Sequence, residues 1–210
     1  MHILLIPDGV RRHSKTYNFQ KEKSYQIGAC KIVEFIEKTF TNWSEVNEFS
    51  IFPLAEYNLS RSIEDVSCLR LGFRSLIEFL KQKKIYADIS LIGNESSLEG
   101  LCSETLSHLN MLIEESKKKN YKKKLNLLLA YDSLYSCPKN IDARNWKPFQ
   151  TNIDVIYRYA QPNNWTRGSA IFPMSEQAYW GSTSVFFPSA DWYDFYNDIQ
   201  NVIPFIKKKI

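Results

Sequence analysis

The sequence has no Cys-x-x-Cys pair, no ladder of histidines and no apolar run long enough to cross a bilayer. Each absence removes a class of protein. Cys30, Cys68, Cys102 and Cys137 are scattered, and nothing near them completes a zinc site, so they read as reduced structural thiols. The first apolar stretch lacks a charged leader and a small-residue cleavage site, which argues for a cytoplasmic enzyme or binding protein with no integral membrane segment. Repeats, low-complexity linkers and breaks in composition are also missing, so residues 1–210 are expected to form a single domain. Net charge is a modest +4, resting on the run from Lys117 to Lys124 and on Lys207, Lys208 and Lys209. Both read as solvated ends, and no nucleic-acid partner is expected.

What is present is an alternation of short apolar runs with helical periodicity. Ile3 to Ile6 suits a buried strand, and Asp8-Gly9 ends it as a turn would. From Ser24 to Phe40, apolar side chains at Ile27, Cys30, Val33, Ile36 and Phe40 mark one helix face. Glu48 to Leu54 reads as a strand, Ser62 to Lys83 as a helix with an acidic first turn, Asp88 to Ile92 as a strand and Glu104 to Ser116 as a helix. Leu125 to Tyr131 is apolar throughout, as in a strand covered on both faces. Beyond a polar connection from Ser133 to Asn152, strands are expected at Ile153 to Tyr157 and Val185 to Phe187, and a closing helix from Trp192 to Ile206. The order implies an α/β fold with a mostly parallel central sheet of about six strands flanked by helices.

In open sheets of this class ligands gather beyond the carboxyl ends of the strands. That rule selects the loops Asp8 to Lys15, Ala55 to Arg61 and Arg158 to Ser169. In the first, Gly9 permits close backbone approach, the amides after it can open a helix that favours an anion, and Arg11 and Arg12 add guanidinium forks suited to phosphate. Asp8 beside them either offsets that charge or holds a divalent cation shared with the phosphate. Taken alone, Asp8-Gly9 is equally a plain turn with two surface arginines. The third loop, "RYAQPNNWTRGS", repeats the chemistry with Arg158, Arg167 and Ser169. Two anion cradles on one sheet edge suggest two phosphorylated substrates. His13 is a further candidate for phosphate contact, whereas His108 reads as structural. An apolar cleft between the first two long helices and the sheet would be lined by Phe35, Phe73, Ile77 and Leu91.

"HILLIPDGVRR" resembles the opening signature of the cis-prenyltransferase (undecaprenyl diphosphate synthase) superfamily. "AEYNLSRSIEDV", "LNLLLAYD", "DVIYRY", "RGSAIFP" and "SVFFP" are similar to its later blocks, in the same order. The resemblance implies that Asp8 positions Mg2+ on an allylic diphosphate, with Gly9, Val10, Arg11, Arg12 and Arg61 around the leaving phosphate. Arg158, Arg167 and Ser169 would hold the second diphosphate, and Asn58 or Tyr25 would help with the proton that ends the condensation. It also implies dimethylallyl, isopentenyl or geranyl diphosphate as substrates, pyrophosphate release and a homodimer.

Several blocks depart from the pattern. The loop Asn is Val10, the expected His is Tyr25, and the second metal carboxylate aligns with Tyr179, leaving Glu176 as a substitute. "PDGVRR", Tyr25 and "IFPMS" look more like cyclolavandulyl diphosphate synthases, a branch that joins two five-carbon units and cyclises the product. The expected activity is thus a prenyltransferase making a short, irregular or cyclised product. A terpene cyclase acting on one diphosphate and a non-catalytic partner subunit are the alternatives.

Overall fold

The computed structural model describes residues 1–132, 148–160 and 177–206. Among these, six strands form one all-parallel sheet: β1 (His2–Ile6), β2 (Glu48–Ala55), β3 (Asp88–Ile92), β4 (Lys124–Tyr131), β5 (Val155–Arg158) and β6 (Tyr179–Ser182), in the order β3-β4-β2-β1-β5-β6. Ile3, Leu4 and Leu5 are fully buried because β1 sits mid-sheet with apolar side chains packed on both faces.

The helices are α1 (Val10–Thr16), α2 (Lys21–Asn42), α3 (Ile63–Gln82), α4 (Glu95–Lys118), α5 (Trp192–Gln200) and α6 (Ile203–Ile206). α3 starts where Ser62 Oγ accepts the Asp65 N–H, and its stripe of Cys68, Leu69, Phe73, Leu76, Ile77 and Leu80 faces the core. This core lies between the helices and one face of the sheet. A smaller one on the opposite face joins Leu4, Phe52, Leu128 and Ile156 to Phe149 and Ile153.

Three expected elements differ. Val185 to Phe187 is not a strand: Phe187–Ser189 form a 3-10 turn with Pro188 inside it, and the sixth strand is Tyr179–Ser182 instead. α4 begins at Glu95 rather than Glu104 and bends at Cys102, whose φ/ψ of −166°/95° interrupts the helix. The closing helix breaks after Gln200 and resumes at Ile203, with Pro204 in the first turn, where a missing N–H costs nothing. The chain moves from β1 to one side for β2, β3 and β4, then crosses β1 for β5 and β6. The crevice where that order reverses lies beyond the carboxyl ends of β1 and β5.

Candidate active site

Ile6 at the end of β1 pairs with Arg158 at the end of β5. Asp8 lies two residues beyond Ile6, and its carboxylate faces both sides of the crevice. Oδ1 accepts the Gly9 N–H at 2.6 Å, while Oδ2 receives Arg158 Nη2 at 3.0 Å and lies 3.6 Å from Arg12 Nη2. Two guanidinium groups from segments 146 residues apart in sequence thus share one carboxylate. Arg158 is buried, so its charge acts in a poorly screened environment.

Gly9 has φ of +96°, and a Cβ there would stand 2.6 Å from Ala160 Cβ and 2.9 Å from Phe186 Cδ1. Only glycine suits that position. The Val185–Phe187 segment fastens the turn from above: the Phe187 N–H donates to Asp8 O at 3.1 Å, and the Arg12 guanidinium lies over the Phe186 ring at 5.7 Å. α1 follows at once, leaving the first-turn amides of Val10, Arg11 and Arg12 without intrahelical acceptors.

The other site residues divide. Arg11 turns away to Asp65 of α3 at 3.0 Å, and Lys21 meets both Asp65 at 2.9 Å and Glu64 at 2.7 Å. The Lys21 hydrogen bond, then that of Arg11, holds the Asp65 carboxyl below its usual range. Arg11 therefore ties α1 to α3 and, in this arrangement, does not share the Asp8 carboxylate. His13 is buried, stacked on Phe19, with Nδ1 3.0 Å from Ser24 Oγ, and burial lowers its pKa. Asn58 is buried on the 3-10 turn after β2, where Oδ1 accepts the Ala55 N–H at 3.4 Å and Nδ2 has no partner among the described residues. A backbone N–H can only donate, so Oδ1 is the acceptor there and the open atom of Asn58 is its Nδ2 donor. Arg61 lies over the Tyr57 ring at 5.9 Å.

Beneath the cradle, an apolar cavity of about 60 Å³ lies between α2, α3 and the sheet. Tyr25, Gly28, Leu54, Gly72, Phe73 and Leu129 are among its walls. Phe73 is the one expected lining residue found there; Phe35 and Ile77 are core, and Leu91 packs partly buried from β3. Tyr25 belongs to the cavity wall: its ring fills the space left by Gly72, where a Cβ would stand 3.1 Å from Tyr25 Cδ1. Burial raises its pKa against the opposing charges of Arg61 and Arg11, so the phenol stays protonated at neutral pH.

Sequence reading missed Phe186, Gly72 and the clamp over Asp8; the aromatic pair in "SVFFP" was the available signal. Arg167, Ser169, Glu176 and Cys137 lie outside the described residues. Cys30, Cys68 and Cys102 are free thiols. Tyr179 begins β6 opposite Val155, whereas Ser182 is the residue level with Arg158. Among the described residues no three His, Cys, Asp or Glu side chains cluster as a metal site. Asp8 alone nevertheless fits magnesium: its side chain is 36% exposed, and this ion takes one or two carboxylates and completes its shell with phosphate oxygens and water.

A charged cradle at the switch point of a parallel sheet, above an apolar cavity, suits a small amphiphile with an anionic head. Residues 6–166 match the family model described as "Putative undecaprenyl diphosphate synthase", and the chain belongs to that family, the cis-prenyltransferases, which are transferases of alkyl groups. Dehydrodolichyl diphosphate synthase 4 of Arabidopsis thaliana is 32% identical over 135 residues, 62% of this chain and 43% of that protein. The chain thus spans under half of that relative's length. Dehydrodolichyl diphosphate synthase 3 of the same plant is 28% identical, covering 94% of this chain and 70% of its own. The crystal structure of lavandulyl diphosphate synthase from Lavandula x intermedia, in complex with dimethylallyl diphosphate, superposes with a TM-score of 0.71 over 95% of this chain and 93% of that one, at 19% identity. That likeness establishes the fold. Among the described residues no helix is long and apolar enough to cross a membrane.

Proposed function

We propose that the chain condenses short prenyl diphosphates, such as dimethylallyl, isopentenyl or geranyl diphosphate, into a short, irregular or cyclised isoprenoid diphosphate with release of pyrophosphate. The carrying observation is the Asp8 carboxylate shared by Arg12 and Arg158, carried on the same turn as Pro7 and Val10 of an apolar cavity's wall. Breaking an allylic carbon–oxygen bond moves negative charge onto the leaving diphosphate. The Arg12 guanidinium, already oriented before the bond breaks, stabilises that charge without reorganising. Asp8 would also hold Mg2+, which when bound further neutralises the diphosphate. Arg158, with Arg167 and Ser169 by proposal, holds the second diphosphate so that its double bond faces the electrophilic carbon. Asn58 Nδ2 and the Tyr25 hydroxyl donate to diphosphate oxygens, and the proton lost after carbon–carbon bond formation goes to the released pyrophosphate or to water.

The cavity's walls, Val10, Ile32, Leu54, Leu69, Phe73 and Leu76 among them, are apolar, which suits a prenyl tail. A homodimer is part of the proposal through family membership. The test supplies purified protein and Mg2+ with dimethylallyl diphosphate alone, with isopentenyl diphosphate added, and with geranyl diphosphate alone, and identifies products by mass spectrometry. Product from the first mixture is the expected irregular coupling. Strict need for both five-carbon substrates would make the enzyme an ordinary elongating synthase, product from geranyl diphosphate alone a cyclase, and no turnover in any mixture a non-catalytic subunit.

A further inference from the structure

The run from Lys117 to Lys124 gains neighbours in the fold. α3 ends at Gln82 and α4 at Lys118, beside the amino ends of β3 and β4, so this run meets Lys83 and Lys84. The two segments are joined directly. The Asp88 N–H donates to Lys123 O at 2.8 Å, and the Ile89 N–H donates to Ser116 Oγ at 2.9 Å. The Tyr86 and Tyr121 rings meet edge to face at 6.1 Å, with the Lys84 ammonium 5.2 Å over Tyr86. Three lysines here are occupied: Lys83 by Glu37 at 2.9 Å, Lys117 by Glu114 at 2.8 Å, and Lys123 by the Phe40 and Trp43 carbonyls at the end of α2. Lys84, Lys118, Lys119 and Lys122 are exposed and form no ion pair among the described residues.

We propose that this end of the molecule docks on an anionic lipid bilayer. Every cation of the patch is a lysine, a hydrated point charge without the planar fork that arginine brings to phosphate groups of defined geometry. Such a cluster follows the average potential of a charged surface rather than one binding partner's shape. Tyr86, 53% exposed, is amphipathic in the way that suits a headgroup layer. The candidate site lies at the carboxyl ends of the strands and the patch at their amino ends, so docking leaves the cavity mouth facing water, open to soluble diphosphates.

The test is co-sedimentation of the full chain with phosphatidylcholine vesicles, with and without phosphatidylserine, at physiological salt. Binding is expected to require phosphatidylserine. At about five-fold per lysine, the variant Lys84→Gln/Lys118→Gln/Lys119→Gln/Lys122→Gln loses several hundred-fold in partitioning. Lys23→Gln, in α2, keeps parental binding, and both variants keep parental turnover. Failure of the parent to bind, equal losses in both variants, or tighter binding to duplex RNA than to the anionic vesicles would each overturn the proposal.

Discussion

Arg12 and Arg158 reach the crevice from different loops, and Asp8 makes them one site. In Asp8→Asn the amide oxygen still accepts the Gly9 N–H, so the turn is kept while the charge holding both guanidinium groups is lost. Turnover should fall roughly 100- to 1000-fold, the range seen when one preorganised stabilising group is removed, and the melting temperature should fall too, because the buried Arg158 guanidinium loses a charged partner. Single-turnover kinetics beside thermal melts check this; a loss below about three-fold would remove Asp8 from the proposed chemistry. Asp8, Gly9, Arg12 and Arg158 were legible because each follows a recognisable apolar strand. The pairing of Arg11 with Asp65 was not, since neighbouring helix residues point about 100° apart. That rotation carries Arg12 back over Asp8 four residues earlier and swings Arg11 to Asp65, while the next residue, His13, is buried. Which of two adjacent arginines faces the site depends on where α1 starts, and the sequence marks that only to within a residue or two.

The least legible element was β6. "YWGS" has a glycine in its middle and no apolar alternation, whereas "VFF" looks like a strand yet ends in the turn that clamps Asp8. An edge strand is defined by its single neighbour, so its own composition says little. Here the neighbour explains the glycine. A Cβ on Gly181 would stand 2.7 Å from Tyr157 Cδ2 on β5, and the Tyr157 ring is anchored by its hydroxyl's hydrogen bond to Asp198 of α5. Gly181→Ala should therefore cost about 1–3 kcal/mol, as overpacking at a confined position does. Urea unfolding would show it as a lower midpoint at constant slope. An unchanged midpoint would mean that Tyr157 moves freely and that its link to α5 contributes little.

At the scale of the molecule, alternating apolar runs were enough to indicate a parallel sheet with helices, because β1, β2 and β4 are buried and their composition is dictated by that burial. The polar chemistry beneath the second face was hidden, since His2 and Glu48 look like ordinary strand ends. In the structure His2 is fully buried: Nδ1 lies 3.1 Å from Thr151 O, Nε2 lies 2.8 Å from Ser50 Oγ, and Glu48 gathers Asn126, Gln150 and Thr151. Burial lowers the His2 pKa despite the Glu48 charge, and burial alone lowers that of His13. Both imidazoles are therefore neutral in the fold at pH values where the unfolded chain already binds protons. Below the unfolded value of about 6.5 the unfolded state takes up protons first, so stability falls as pH drops, by up to about 1.4 kcal/mol per pH unit and histidine. The fall lessens only once pH passes the lower folded values. Asp65, whose folded pKa is depressed, adds a further loss at more acidic pH, as its carboxylate is protonated. Melting temperatures measured from pH 8 to pH 5 should be level above neutrality and decline below about 6.5. His13→Phe keeps an aromatic ring against Phe19 and removes one of the two titrations, so its decline over that interval should be shallower than the parent's. Equal melting temperatures at pH 5 and pH 7.5 in the parent would show that neither imidazole is held neutral by burial.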